Sequence, residues 1–197
     1  LEFRDVLAGV GQGVRELDVD FSGLRLVRPC MEYMDSFQEA LLEYMAFRVE
    51  EFSYPKLSNA RDIKAYLKRL DKFRKGKVPE GFVPSSAFWL VDGRQYLGSG
   101  DVRHYLNDNL RRLGGNIGYA IRPGGWRQGL GTIQLALLLD EAGRLGVQTP
   151  IITCFEHNIG SIKIIEKNGG VLINTVQNRV KGSKVLTRIY EVSEGAG

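Results

Sequence analysis

Gly115–Gly146 reads GNIGYAIRPGGWRQGLGTIQLALLLDEAGRLG, and its three parts, in fixed order, decide the fold. Ile117, Tyr119 and Ile121 alternate with small or polar residues, the period-two signature of a strand. Pro123-Gly124-Gly125 stops that strand, and Gly129 and Gly131 stand two apart. Beyond them Ile133, Leu135, Ala136, Leu137, Leu138 and Leu139 predict a nearly all-apolar helix, ended by Gly143 and Gly146. A strand, a glycine-bearing turn and a buried helix form a device for holding phosphate. The unpaired N–H groups of the first helical turn face the anion, and the helix dipole adds roughly half a positive charge. Glycine is expected there because a Cβ would keep a pyrophosphate off the backbone.

Two common versions of that device do not fit. A P-loop needs Lys and then Ser or Thr after its last glycine, whereas Leu130, Gly131 and Thr132 follow Gly129. A dinucleotide fingerprint that starts at Gly129 and Gly131 would need its third glycine where Gln134 stands. An ordinary tight strand-to-helix turn would carry the same residues, so the rest of the chain has to decide.

With 197 residues the chain is of single-domain size and can bury a real core. Its 43% hydrophobic and 25% charged residues are those of a globular protein in water. No apolar run reaches the ~18 residues of a membrane span. The opening LEFRDVLAGVGQG lacks the basic start and apolar block of a signal peptide, and the chain does not begin with Met. Residues 1–22 are read as an N-terminal extension, 23–197 as one domain, and the expected location is the cytoplasm. Cys30 and Cys154 cannot frame a disulfide scaffold, and two histidines without clustered partners make a zinc or other metal site unexpected. Cys154, inside IITCF, reads as a buried strand residue.

Read in order, Arg15–Phe21 is a short strand or an extended arm, and Leu24–Arg28 alternates as a first strand. A helix is expected from about Glu32 to Glu51, with Met34, Phe37, Leu41, Tyr44 and Phe47 inward. A second, at about Ala60–Arg74, places Ile63, Tyr66, Leu67, Leu70 and Phe73 at three- and four-residue spacing. Its other face is basic: Arg61–Lys77 holds eight Lys and Arg against Asp62 and Asp71, within a net charge of +4. Such a face is a solvated surface, or a guide for acidic partners and nucleotide phosphates. No aromatic-basic module accompanies it, so nucleic acid is not an expected partner. Ala87–Val91 is a strand, Asp92-Gly93-Arg94 a hairpin turn, and Gln95–Gly100 the start of its partner. Asp101–Arg112 extends that strand or turns into a short helix. After the deciding stretch come strand Ile151–Phe155, helical segment Asn158–Lys167, and strands Val171–Val176 and Lys184–Val192 separated by Arg179–Gly182.

Arg122-Pro123 before Gly129-Leu130-Gly131, with Thr132 opening the helix, resembles motif A of the GNAT superfamily of N-acetyltransferases, R/Q-x-x-G-x-G/A. Trp126 stands where the leading Arg or Gln belongs, followed by Arg127 and Gln128. A second match lies downstream, where Asn158-Ile159-Gly160-Ser161 and Lys167-Asn168-Gly169-Gly170 take the places of N-x-x-A/S and K-x-G-F. The segments VPSSAFWLVDG, DVRHYLN and GGNIGYAIRP look like a bacterial group of predicted acetyltransferases within that superfamily. The resemblance spans about Leu24–Val192. It implies the GNAT-type acyl-CoA N-acyltransferase fold, an α/β (α+β) architecture with a mixed, mostly antiparallel sheet flanked by helices.

The resemblance further implies acetyl-CoA as cosubstrate, no metal, and transfer to an amine within a ternary complex. Backbone N–H groups of Arg127, Gln128, Gly129, Leu130, Gly131 and Thr132 would hold the pyrophosphate. The pantetheine arm would run beside Tyr119, Ala120, Ile121 and Arg122, with a backbone N–H near Ile121 as oxyanion donor. Asn158, with Ser161 in the same motif, touches the cofactor arm or caps its own helix. The tyrosine that many members use to protonate the thiolate falls on Ile165, and the acid of the central strand falls on Ile117 and Gly118. Tyr119, Glu156 and His157 are the substitutes expected first; Tyr190, Asp101 and His104 are also candidates. Those absences leave open a non-catalytic CoA- or acyl-CoA-binding sensor or interaction module. The acceptor, a small molecule or a peptide amine, is not legible, and a homodimer is admitted.

Overall fold

Ile117–Ile121 forms strand β4, and its hydrogen bonding organises the rest. The computed structural model describes residues 16–47, 55, 59–180 and 182–193. β1 (Arg25–Val27), β2 (Ser85–Val91), β3 (Tyr96–Arg103) and β4 make one antiparallel sheet in the order β1-β2-β3-β4. β5 (Ile151–Phe155), β6 (Gly170–Val180) and β7 (Ser183–Val192) make a second, ordered β5-β7-β6. The expected single sheet is thus split in two between β4 and β5, and every described pairing is antiparallel.

Residues just before β4 join the halves: Gly114 N–H bonds to Thr153 Oγ1 at 2.8 Å, and Asn116 makes the larger clasp. Asn116, buried at the foot of β4, gives its backbone N–H to the Ile151 carbonyl at 2.6 Å, and its Oδ1 accepts from Ile151 N–H at 2.9 Å. Its Nδ2 donates to the Arg103 carbonyl at 3.2 Å, and its own carbonyl accepts from Arg103 N–H at 2.7 Å. Beyond this clasp β4 pairs with β3 alone.

Helices cover both faces. α1 (Met34–Ala46) and α2 (Ala60–Arg74) pack on one, through an aromatic cluster in which Phe37 lies 4.5 Å from Trp89 and 4.9 Å from Tyr96, centroid to centroid. α2 keeps the expected bounds because Asn59 caps it, its side chain accepting from Arg61 and Asp62 N–H. Its Lys and Arg residues lie outward, where Asp71 pairs with Arg74 and Lys75. α1 is shorter than expected; a 3₁₀ turn at Met31–Tyr33 precedes it, and residues 48–51 of the expected helix lie outside the described residues. Phe47, expected inward, is 48% exposed and packs edge-on against Trp126.

α4 (Leu130–Arg144) and α5 (Ile159–Lys167) pack on the other face around Val102, Ile117, Leu135, Leu138, Ile152 and Ile165. Each such buried Leu or Ile contributes about 2 kcal/mol. Gly143 falls inside α4, which stops at Leu145 with Gly146 at φ 82°. The ambiguous Asp101–Arg112 segment does both things proposed for it: β3 runs on to Arg103, and a short helix α3 (Asp108–Arg112) follows, capped by Asn107. The last hairpin is longer than its sequence suggests, β6 continuing to Val180.

Replacing Asn116 with Ala strands the buried Ile151 N–H and the Arg103 carbonyl, at a cost of about 2 kcal/mol. Thermal denaturation is expected to show Tm lower by roughly 4–8 °C; an unchanged Tm would mean that the clasp is dispensable.

Candidate functional site

Two sets of main-chain groups lie unused around β4, and together they define the site. The first is the strand's far edge. Arg122 N–H bonds to the Leu97 carbonyl at 2.8 Å, and Gly98 faces Ile121 in the register. Antiparallel pairing alternates, so the N–H and C=O groups of Tyr119 and Ile121 point away from β3, toward β5. The Ile121 carbonyl there accepts a bond from the Trp126 indole Nε1 at 2.9 Å.

The second set is the turn into α4. Pro123–Gly125 forms a 3₁₀ turn, Arg127 has φ 63° and Gly129, the helix N-cap, has φ 84°. No acceptor among the described residues takes the N–H groups of Arg127, Gln128, Gly129, Leu130 or Gly131, as befits the first turn of a helix without a capping side chain. Thr132, expected with them, already gives its N–H to the Gly129 carbonyl at 3.1 Å. The two glycines do different jobs. A Cβ on Gly129 would meet nothing within 4 Å, so that side of the turn is open to a ligand and the glycine serves its positive φ. A Cβ on Gly131 would sit 2.5 Å from Ile164 Cδ1, so this glycine lets α4 approach α5 rather than admitting phosphate, a correction to the expected role.

The turn is held from behind. Arg122, buried, donates from Nε to Glu43 Oε1 at 2.8 Å, from Nη1 to Ser36 Oγ at 3.0 Å and from Nη2 to Glu39 Oε2 at 3.3 Å. Glu43 Oε2 also accepts from Gly124 N–H at 3.1 Å, which ties α1 to the turn. The Arg122 side chain is therefore committed to α1 and not to a cofactor. Gln128 is likewise engaged, its Nε2 donating to the Leu17 and Gly124 carbonyls at 3.2 Å. Leu17 N–H reaches the Gly124 carbonyl at 2.9 Å, so the extended arm before β1 buttresses the turn.

Across the gap from β4, the side chain of Asn158 caps α5, its Oδ1 accepting from Ser161 N–H at 3.0 Å. Tyr119, half-buried, donates its hydroxyl to Ser161 Oγ at 3.3 Å, which places the phenol beside the opening of α5. Burial raises the Tyr119 pKa, so the phenol keeps its proton at neutral pH. Glu156 lies at the end of β5 in an ion pair with Arg188 at 3.3 Å, and exposed His157 stacks on Phe155 at 5.5 Å. Ile165 is fully buried in the core. Tyr190, also fully buried, gives its hydroxyl to Glu166 Oε1 at 3.2 Å. His104 Nε2 meets Ser86 Oγ at 3.0 Å; burial, then Arg28, lowers its pKa. Burial pushes the Cys154 thiol up to about 11, consistent with a structural cysteine.

Asn116 and Asp101 have more to do than the sequence pattern suggests. Asn116 was not expected at all; its one signal is an amide following Gly114-Gly115 at a strand entry. Asp101 lies across from Gly118 on the face that α1 and α2 cover. Among the described residues no group of three or more His, Cys, Asp or Glu is arranged to hold a metal ion, and no helix is long and apolar enough to cross a membrane.

Comparison with known proteins gives this geometry a context. A family model described as an acetyltransferase (GNAT) domain matches residues 24–171. No curated protein matches the chain in sequence. Among solved structures, the ribosomal L7/L12 alpha-N-protein acetyltransferase RimL, in complex with coenzyme A, superposes with a TM-score of 0.66 at 13% identity, over 88% of this chain and 95% of that one. The microcin C7 self-immunity acetyltransferase MccE, in complex with acetyl-CoA and AMP, does so with 0.66 at 16%, over 93% and 99%. A ribosomal-protein-S5-alanine acetyltransferase from Vibrio fischeri gives 0.62 at 14%, over 92% and 98%.

The positive φ of Arg127 costs about 1 kcal/mol that glycine would not incur. Arg127→Gly is therefore expected to raise stability in chemical denaturation by about that much, and Gly129→Ala to lower it by about the same. Equal effects of like sign would contradict the backbone assigned to this turn.

Proposed function

The chain belongs to the GNAT acetyltransferase family, and on that premise we propose that it is an acetyl-CoA-dependent N-acetyltransferase acting on a primary amine by direct transfer in a ternary complex. The observation that carries the proposal is the pair of unused main-chain surfaces meeting at Pro123: free N–H groups at the N-terminus of α4 and the open edge of β4. The open side of Gly129, where a Cβ would meet nothing, fits a diphosphate. Arg127, Gln128, Gly129, Leu130 and Gly131 would hold it through their N–H groups, and Thr132 would contribute its hydroxyl rather than its engaged N–H. Tyr119, Ala120, Ile121 and Arg122 would take the pantetheine arm along the backbone, Tyr119 offering its outward N–H and C=O and Ile121 its N–H, since the Ile121 carbonyl is held by Trp126. Asn158 and Ser161 would line the opposite wall.

Bound acetyl-CoA would supply the thioester carbon that an amine attacks. The protein's part is to bind, orient and move protons. An N–H of the Tyr119–Ile121 edge would stabilise the negative charge that develops on the carbonyl oxygen, worth a few kcal/mol when preorganised. Tyr119 is the proton donor proposed for the departing sulfur, since its phenol reaches Ser161 at the opening of α5 and burial keeps it protonated. Glu156 and His157, at the end of β5, are the alternative proton carriers, though Glu156 would first have to leave Arg188.

RimL is named for the α-amine of a ribosomal protein and MccE for self-immunity to microcin C7, so acetyltransferases of this fold are named for different tasks. A small-molecule or peptide amine is accordingly proposed here, with the cytoplasm as the expected compartment. The rival reading, a CoA-binding sensor, draws on the buried Ile165 in the tyrosine's place.

Calorimetric titration with acetyl-CoA is expected to show saturable heat, and thiol release over a panel of amines, polyamines and peptides to exceed background. Saturable binding without release would favour the sensor; no binding would sink both. Tyr119→Phe is expected to lower kcat about 100-fold and leave the acetyl-CoA Kd unchanged.

A further inference from the structure

An ammonium ion has no lone pair, so an amine that attacks a thioester must first give up a proton. β4, IGYAI, carries no carboxylate to receive it. Its neighbour does. Asp101 of β3 stands opposite Gly118, and a Cβ built on Gly118 would lie 2.8 Å from Asp101 Oδ1. The next nearest atoms to that position are two Arg103 guanidinium nitrogens, at 3.7 and 3.8 Å. The Asp101 carboxylate therefore lies over Gly118, in the space that a β4 side chain would fill. We propose that Asp101 is the general base of the acetyl transfer, reaching over Gly118 to take the proton of the acceptor's ammonium. This deepens the acetyltransferase reading and rests on it.

The surroundings suit that role. Asp101 is flanked by Ala87 on β2 and Gly118 on β4, so the floor of the site is small side chains and backbone. The aromatic cluster under α1 and α2 extends along this face to Trp89 and Ala120 and makes one wall. About a third of the Asp101 side chain, 34%, stays exposed, enough for a solute to reach it. No hydrogen bond from the described residues reaches its oxygens. Its ion pair with Arg103 is 3.5 Å long, against ~2.8 Å for a charge-assisted hydrogen bond. Arg103 is meanwhile fixed by the Gly114 and Gly115 carbonyls at 3.0 and 2.9 Å, so the carboxylate's lone pairs remain available. Burial raises the Asp101 pKa and Arg103, the charged group that acts on it, lowers it in part; the net shift is upward, which makes a stronger base.

Position along the strand matters too. Tyr119, whose N–H lies on the open edge, is the residue after Gly118, and successive Cα atoms are ~3.8 Å apart. Base and oxyanion donor thus flank one peptide of β4 on different sides. In the step, the ammonium proton passes to the Asp101 carboxylate and the freed lone pair forms the C–N bond. The C–S bond breaks with its electron pair on sulfur, which takes a proton from Tyr119 or water, and Asp101 returns its proton to solvent.

The test uses two small amines that need no recognised acceptor, strongly basic methylamine and weakly basic hydroxylamine, with the full-length protein and acetyl-CoA. Asp101→Asn is expected to slow transfer to methylamine about 100-fold, the lower range for general-base catalysis, and to hydroxylamine by less than about threefold. Its acetyl-CoA Kd by calorimetry should match that of the unaltered chain, which also reports folding. Independently, ¹³C NMR of aspartate-labelled protein, assigned with the same variant, should show the Asp101 carboxyl titrating above the ordinary carboxylate range. Equal slowing on both amines, no slowing, or a carboxyl titrating in the ordinary range overturns the assignment. Saturable acetyl-CoA binding without transfer to either amine overturns it as well and leaves the CoA-binding reading standing; absence of acetyl-CoA binding overturns the assignment together with both of those readings.

Discussion

A β-strand hydrogen-bonded on one side only is an unfinished structure, and this molecule is built around one. β4 is sealed to β3 along its length, whereas among the described residues the hydrogen bonds to β5 lie at its foot, from Asn116 to Ile151 and from Gly114 to Thr153. Buried amides and carbonyls without partners are costly, at about 1–3 kcal/mol each. The fold leaves those of β4 facing a gap, where a ligand can complete them. The same economy governs the N-terminus of α4, whose first N–H groups have no side-chain cap. A capping Ser or Asp at position 129 would satisfy an amide and fill the space that a diphosphate needs. Gly129 does neither.

Keeping such a gap open requires rigidity behind it. The Arg122–Glu43 pair, reinforced by Ser36, Glu39 and Gly124 N–H, locks α1 to the exit of β4. Glycines bring α4 against the sheet: a Cβ on Gly100 would lie 2.5 Å from Leu138 Cδ1, and one on Gly98 3.1 Å from Gln134 Oε1. Gln134 is fully buried with neither amide atom paired. It occupies the place a dinucleotide fingerprint gives to its third glycine, and its burial shows how closely helix and sheet meet there.

Much of this was legible because the periodicity of buried elements survives in sequence. Ile117, Tyr119 and Ile121 marked β4, and the apolar run from Ile133 marked α4. The three- and four-residue spacing from Ile63 to Phe73 marked α2, whose bounds came out as read. What escaped was set by contacts distant in the chain. The clasp of Asn116 to Ile151 spans 35 residues and has no local pattern. Asp101 was one proton-transfer candidate among several, and only its register with Gly118, which no spacing encodes, sets it apart. β6 runs past Val176 through Gln177, Asn178 and Arg179, polar residues whose strand pairing with β7 no hydrophobic alternation announces. Gly131 was credited with admitting phosphate when its neighbour is Ile164. Phe47 kept helical spacing yet faces Trp126 in solvent, since spacing tells which side of a helix a residue is on, not where its neighbour's surface ends.

The indole of Trp126 carries one more consequence. An unpaired strand edge is a template on which another polypeptide could zip, a hazard that folded chains must blunt. Here the vulnerable run is bounded at the bottom by Asn116 and at the top by the Trp126 N–H on the Ile121 carbonyl. Between those stoppers lies room for one or two amide groups, too little for an intruding β-strand to gain register. The unpaired run is thus too short for another strand to pair along it, and it can stand open without inviting aggregation.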